Sequence, residues 1–73
     1  MREYTIILDP DPSGRGFTVR VPALPGCITQ GRTKKQAVER AREAILPYLE
    51  SLLADGETLP DDIDTIEVMK VAV

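Results

Sequence analysis

Residues 22–33 read Pro-Ala-Leu-Pro-Gly-Cys-Ile-Thr-Gln-Gly-Arg-Thr, and this stretch limits the possible folds more than any other in the chain. Two prolines bracket Ala23 and Leu24, Gly26 follows the second, and Gly31 and Thr33 stand where a helical pattern begins. Proline fixes φ and removes a backbone donor, while glycine opens conformations closed to other residues, so the chain must turn here more than once. The expected order is strand end, tight turn, short strand, turn and helix cap.

Before this hinge, residues 4–8 alternate so that Tyr4, Ile6 and Leu8 share one face of a strand and Thr5 and Ile7 the other. Residues 9–16 hold two prolines, two glycines, Asp9, Asp11 and Ser13, which is the chemistry of a hairpin loop. Residues 17–21 then alternate again, with Phe17, Val19 and Val21 predicted inward, and residues 27–30 leave room for a short third strand. Together these predict an antiparallel meander.

Thr33 and Gln36 have capping-box spacing, with the Thr33 hydroxyl accepting from the Gln36 amide and the Gln36 side chain returning to the Thr33 amide, so a helix is predicted from about Lys34. Val38, Ala41, Ile45, Tyr48 or Leu49, and Leu52 recur at helical steps, with Ala37 and Ala44 beside them, and define the expected apolar stripe. Pro47 interrupts it. Because proline removes the bond to the Glu43 carbonyl, a kink or a break is expected there. Gly56 supplies a left-handed stop and Pro60 blocks resumption.

Residues 59–65 form an acidic connection, and residues 66–73, Ile-Glu-Val-Met-Lys-Val-Ala-Val, read as a final strand apolar on both faces. Such a strand calls for cover from its own helix on one side and from a second subunit on the other. The predicted fold is α+β, in the order β-β-β-α-β, with the helix crossing back right-handed over the sheet. Residues 1–73 are expected to make a single domain.

Composition narrows the chemistry. The chain has 73 residues, no histidine and one cysteine, Cys27. Without histidine the usual general base and the usual activator of a serine or cysteine nucleophile are missing, and no catalytic residue or cofactor is expected. Cys27 reads as a small packed hydrophobe. Half of the 12 acidic residues, namely Asp55, Glu57, Asp61, Asp62, Asp64 and Glu67, fall in the last quarter of the chain, beside the single cation Lys70. With a net charge of −3, that segment suits a basic protein partner better than a nucleic acid, so no direct nucleic-acid contact is expected. No apolar run approaches a bilayer span or a signal peptide, so neither a membrane nor secretion is indicated, and the cytoplasm is the expected compartment.

The chain resembles the HicB antitoxin family. The resemblance rests on the aromatic-led first strand from Tyr4, the Gly16-Phe17 entry to the second strand, and the run Val21-Pro22-x-Leu24-Pro25-Gly26-Cys27. It continues through Thr29-x-Gly31-x-Thr33, an alanine-rich helix, and Leu59-Pro60. It implies a partial ribonuclease-H-like fold that binds and neutralises a small basic HicA-type mRNA-cleaving toxin. Pro22, Leu24, Pro25, Gly26, Cys27, Gly31 and Thr33 are then a structural signature rather than a reactive site. The six C-terminal carboxylates are the expected partner-binding residues. No separate DNA-binding domain is expected, and a ribonuclease-H-like topology implies no nuclease, because function belongs to sites rather than folds.

Other readings have weaker support. Asp9-x-Asp11-x-Ser13-Gly14 opens like a calcium loop, but Arg20 stands where the bidentate carboxylate belongs and strands flank it. Asp61, Asp62 and Asp64 lack a second carboxylate cluster for a metal-dependent nuclease, and no metal site is expected. Arg32, Lys34 and Lys35 place positive charge at a helix start, against the dipole, with no interleaved aromatic residue in sequence. A homo-oligomer without a toxin, paired through the sheet edge or last strand, is the main alternative function.

Overall fold

In the computed structural model, which describes residues 2–73, the ladder runs β1 (Ile7–Pro10), β2 (Phe17–Arg20) and β3 (Ile28–Gly31), followed by one helix, α1 (Lys34–Ala54). The sheet has the order β1-β2-β3 and is antiparallel throughout, with Leu8 opposite Val19 and Val19 opposite Thr29. The α+β class and the meander are as predicted. β1 starts and ends later than the alternation suggests and carries Pro10 opposite Phe17. An edge strand accommodates proline because its outer side needs no donor. Tyr4 and Ile6 lie beyond the ladder but still pack on the core.

Leu24 is fully buried and organises the hinge. The Leu24 amide donates to the Val21 carbonyl at 3.0 Å, the Cys27 amide to Leu24 at 3.0 Å, and the Val21 amide to Cys27 at 3.1 Å, so the turn closes on its own backbone. From the helix the Tyr48 hydroxyl donates to the Pro25 carbonyl at 2.7 Å. Val21, Leu24 and Cys27 thereby form one core cluster against Tyr48 and Leu49, while Val19, Ala37 and Ala41 form the other with Leu8 and Ile45. Burial pushes the Cys27 thiol above its ordinary value.

The cap forms with one change of partner. Thr33 is extended, with φ −125° and ψ 165°, and its hydroxyl accepts from the Gln36 amide at 3.0 Å. The Gln36 side chain accepts from the Arg32 amide at 2.7 Å, one residue earlier than capping-box spacing implies. The helix ends as predicted: Gly56, at φ 74°, donates to Leu53 at 3.0 Å and Glu57 donates to Leu52 at 2.9 Å, the paired bonds of a Schellman motif. Between these ends α1 passes through Pro47 unbroken for 21 residues.

The stripe facing the sheet is rotated from the predicted one. Ala37 is buried, whereas Val38 is half exposed. The cause is a close approach: a Cβ on Gly31 would lie 2.5 Å from the Ala37 nitrogen, and one on Gly16 2.6 Å from the Gly31 carbonyl oxygen. Two strand ends and the first helical turn meet where only glycine fits, so alanine rather than valine must face inward.

The predicted fourth strand is absent among the described residues. Residues 66–73 belong to no helix or strand and are exposed, with no ladder partner, so there is also no crossover whose hand could be assigned. Residues 60–62 reach the N-terminal segment through side chains and the Pro60 carbonyl instead of a backbone ladder. The chain then leaves its own sheet. The radius of gyration, 13.8 Å, exceeds the roughly 11 Å of a compact chain of this length, consistent with that projecting end. No described helix is long and apolar enough to cross a membrane.

Candidate functional site

The six C-terminal carboxylates occupy four different settings. Asp55 and Glu57 sit at the end of α1 and are exposed; Asp64 and Glu67 are exposed on the departing chain. Asp61 lies 3.8 Å from Arg2, in a pair too solvated to hold much. Asp62 differs from the other five.

One oxygen of Asp62 accepts from the Thr5 amide at 2.9 Å, and the other accepts from the Thr5 hydroxyl at 2.7 Å. These bonds, the amide first, hold its carboxyl below the usual carboxylate range. Next to them the Tyr4 hydroxyl donates to the Pro60 carbonyl at 2.5 Å, and Arg2 donates to the same oxygen at 3.3 Å. Asp62 thus fastens the C-terminal segment to the start of the chain. The alternation of residues 4–8 says nothing of this clamp, because its two halves are more than fifty residues apart; only a threonine on the outer strand face hints at it.

Beyond the clamp the surface becomes apolar. Ile66 lies across a shallow groove of about 250 Å³ whose walls include Ile7, Val21, Pro22, Cys27 and Ile28. Past Ile66, Val68 is 91% exposed and Met69 and Val71 are each 81% exposed. On the helix, Val38, Leu46 and Leu53 are also exposed. Carboxylates and uncovered aliphatic side chains therefore share the region from the end of α1 to residue 73, a composition suited to contact with protein.

Five of the seven signature residues, Pro22, Leu24, Pro25, Gly26 and Cys27, border the groove that Ile66 crosses, and Gly31 and Thr33 stand at the start of the helix. Leu24 and Cys27 are buried, Gly31 is pressed against the helix, and Thr33 is committed to the cap. Asp9 and Asp11, the first two positions of the calcium-like run, are likewise engaged: Asp9 pairs with Arg20 at 2.9 Å, and Asp11 accepts from the Ser13 hydroxyl and amide. The Ser13 hydroxyl is the main cause of a lowered Asp11 carboxyl. Among the described residues no three of Cys, Asp and Glu gather at one point.

The family described as HicB_like antitoxin of bacterial toxin-antitoxin system matches residues 4–72. A UPF0150 protein of Thermoplasma acidophilum, Ta0767, is 50% identical over 60 residues, covering 82% of this chain and 86% of that protein. A second UPF0150 protein, ssr1765 of Synechocystis, is 33% identical over 70 residues, covering 96% and 87%. Antitoxin HicB of Escherichia coli K12 is 35% identical over 57 residues, which are 78% of this chain but 41% of that protein. The match spans nearly the whole of the described fold, hinge and clamp included, and the chain belongs to the HicB-like antitoxin family.

Proposed function

We propose that this protein is a non-catalytic antitoxin that binds a small basic toxin of the HicA type through the C-terminal region. The observation that carries the proposal is the joint display of Asp55, Glu57, Asp61 and Asp64 with uncovered aliphatic side chains, outside a core already closed by the hinge. Carboxylates at the rim steer a cationic partner and set its register, while Leu46, Leu53 and the tail supply apolar area. Asp62 acts inside this surface, holding its backbone in place through Thr5. Binding of this kind works by covering the toxin and needs no chemistry from the antitoxin. The working compartment is then the cytoplasm, where an mRNA-cleaving toxin finds its substrate.

The test is co-expression with the product of the short reading frame beside its gene. A stable complex and restored growth are expected, and the triple charge reversal Asp55→Lys, Glu57→Lys, Asp61→Lys should abolish both. Growth unaffected by the neighbouring product, with no complex, overturns the reading.

A second reading has its own support. Residues 66–73 carry unpaired backbone groups and exposed Val68, Met69 and Val71, and such a segment is satisfied by pairing with another strand. A second copy of this chain offers one, which favours a homo-oligomer assembled through the tail. Light scattering across a concentration series distinguishes the two: a monomer at all concentrations contradicts self-pairing and leaves the tail to the toxin.

A further inference from the structure

At the opposite end of the molecule from the tail clamp, the hairpin loop, the end of β3 and the start of α1 enclose a concavity of about 380 Å³. Arg15 enters from the loop, Phe17 from β2, Arg32 from the turn before the helix and Arg40 from the first turns of α1, with Gln30 and Gln36 also at the wall. The sequence places Arg32, Lys34 and Lys35 together but shows no aromatic residue among them. The fold provides one by bringing Phe17 across from β2. The close contacts at Gly16 and Gly31 draw the three elements this near to one another.

The charges here are poorly compensated. Among the described residues neither Arg15 nor Arg32 has a carboxylate within ion-pair distance, and Arg40 has only an exposed contact with Glu43 at 3.3 Å. Asp11 also lines the concavity, but its carboxylate is turned to the Ser13 hydroxyl and amide. The first turn of α1 holds no acidic residue, so the helix dipole adds to the positive field instead of being offset by it. Three arginines from three elements line this one concavity, a charge set suited to the oxygens of a phosphate chain, and Phe17 in the same wall offers a ring to a base. The volume lies within the range of small-ligand sites. The net charge of −3 and the acidic C-terminal region oppose a long nucleic acid, which would have to pass them, but not a small ligand confined to this corner.

We propose that the concavity formed by Arg15, Phe17, Arg32 and Arg40 binds a nucleotide, its phosphates on the guanidinium groups and its base against Phe17. The site is independent of the antitoxin surface, and its failure would leave that reading untouched.

The full chain is to be titrated in nitrogen-edited NMR with ADP, with pyrophosphate and with a short oligoadenylate. ADP and pyrophosphate should both move the amides of Arg15, Arg32 and Gln36, and only ADP should move the Phe17 ring signals, read in a carbon-edited aromatic spectrum of the same titration. Because Arg15 and Arg32 are exposed, the double variant Arg15→Ala, Arg32→Ala keeps the fold, which its spectrum verifies, and should weaken ADP about tenfold or more. Phe17→Leu should weaken ADP about fivefold while leaving pyrophosphate unchanged, a split that a merely structural role for the ring would not produce. Absence of any shift at millimolar ADP, or binding undiminished in the double variant, overturns the proposal. Binding of the oligoadenylate without binding of ADP also overturns it, and assigns the surface to single strands instead.

Discussion

Leu24 and Val71 are both aliphatic residues in segments that read as structured, yet Leu24 is fully buried and Val71 is 81% exposed. The difference lies in what each segment can reach. The hinge around Leu24 closes on its own backbone and presents its side chains to a helix that begins a few residues later. The tail around Val71 follows a helix that already covers the sheet, and beyond Ile66 its aliphatic side chains are left exposed. Apolar content marks a segment that requires cover; only topology decides whether the cover comes from the same chain.

The strongest way to break this contrast is to attack the hinge. Leu24→Ala removes the largest fully buried side chain and should cost about 2–5 kcal/mol in urea denaturation, a large share of what so small a fold possesses. A loss below about 1 kcal/mol would mean that Leu24 does not organise the core. Gly31→Ala comes next, because a Cβ there meets backbone atoms of Ala37 and Gln36 at 2.5–3.0 Å and the helix must move; about 1–3 kcal/mol is expected, with shifted amide signals along the first turn of α1. On the other side of the contrast, the double substitution Val68→Ser, Val71→Ser should change the folding free energy of the isolated chain by no more than about 0.5 kcal/mol. The same pair should weaken binding of a protein partner, whether toxin or second copy.

Between hinge and tail stands the clamp, and its effect is smaller and pH-dependent. Because the Asp62 carboxyl is lowered in the folded protein, its contribution is complete above the pKa of a free carboxylate, about 4, and is lost as pH falls through the lower folded value. The protection of the Thr5 amide, relative to its intrinsic exchange rate at each pH, should therefore fall as pH drops through that lowered value, and Asp62→Asn should reduce it already at neutral pH without altering protection at Val19. Equal loss of protection at both sites would show that the clamp is part of the core.

Much of this fold is legible in residues that act locally. The Thr33 cap, the Gly56 stop, the alternation at Phe17 and Val19, and the punctuation of residues 22–33 each depend on a few neighbouring positions, and each element formed close to where they placed it. What escaped depends on approach between distant segments. Val38 reads as core until Gly31 and Gly16 bring the helix too close for a β-branched side chain. Asp62 reads as one carboxylate among six until Thr5 is placed beside it. The last strand has every local property of a strand except a partner, and no local pattern can supply one. The acidic residues could be named in sequence, but the meeting of Ile66 with the hinge at one groove could not, since the whole helix separates the two in chain order.

The central claim is that the closed core and the tail are energetically separate, the tail being held for another chain. Hydrogen exchange on the dilute protein tests it directly. Val19, Ala37 and Ala41 should be protected to the level of global unfolding, while residues 66–73 exchange at nearly unprotected rates and gain protection only when a toxin or a second copy is added. Protection of residues 66–73 in the dilute chain, independent of concentration, would mean that the tail is a fourth strand of its own sheet and would contradict the account.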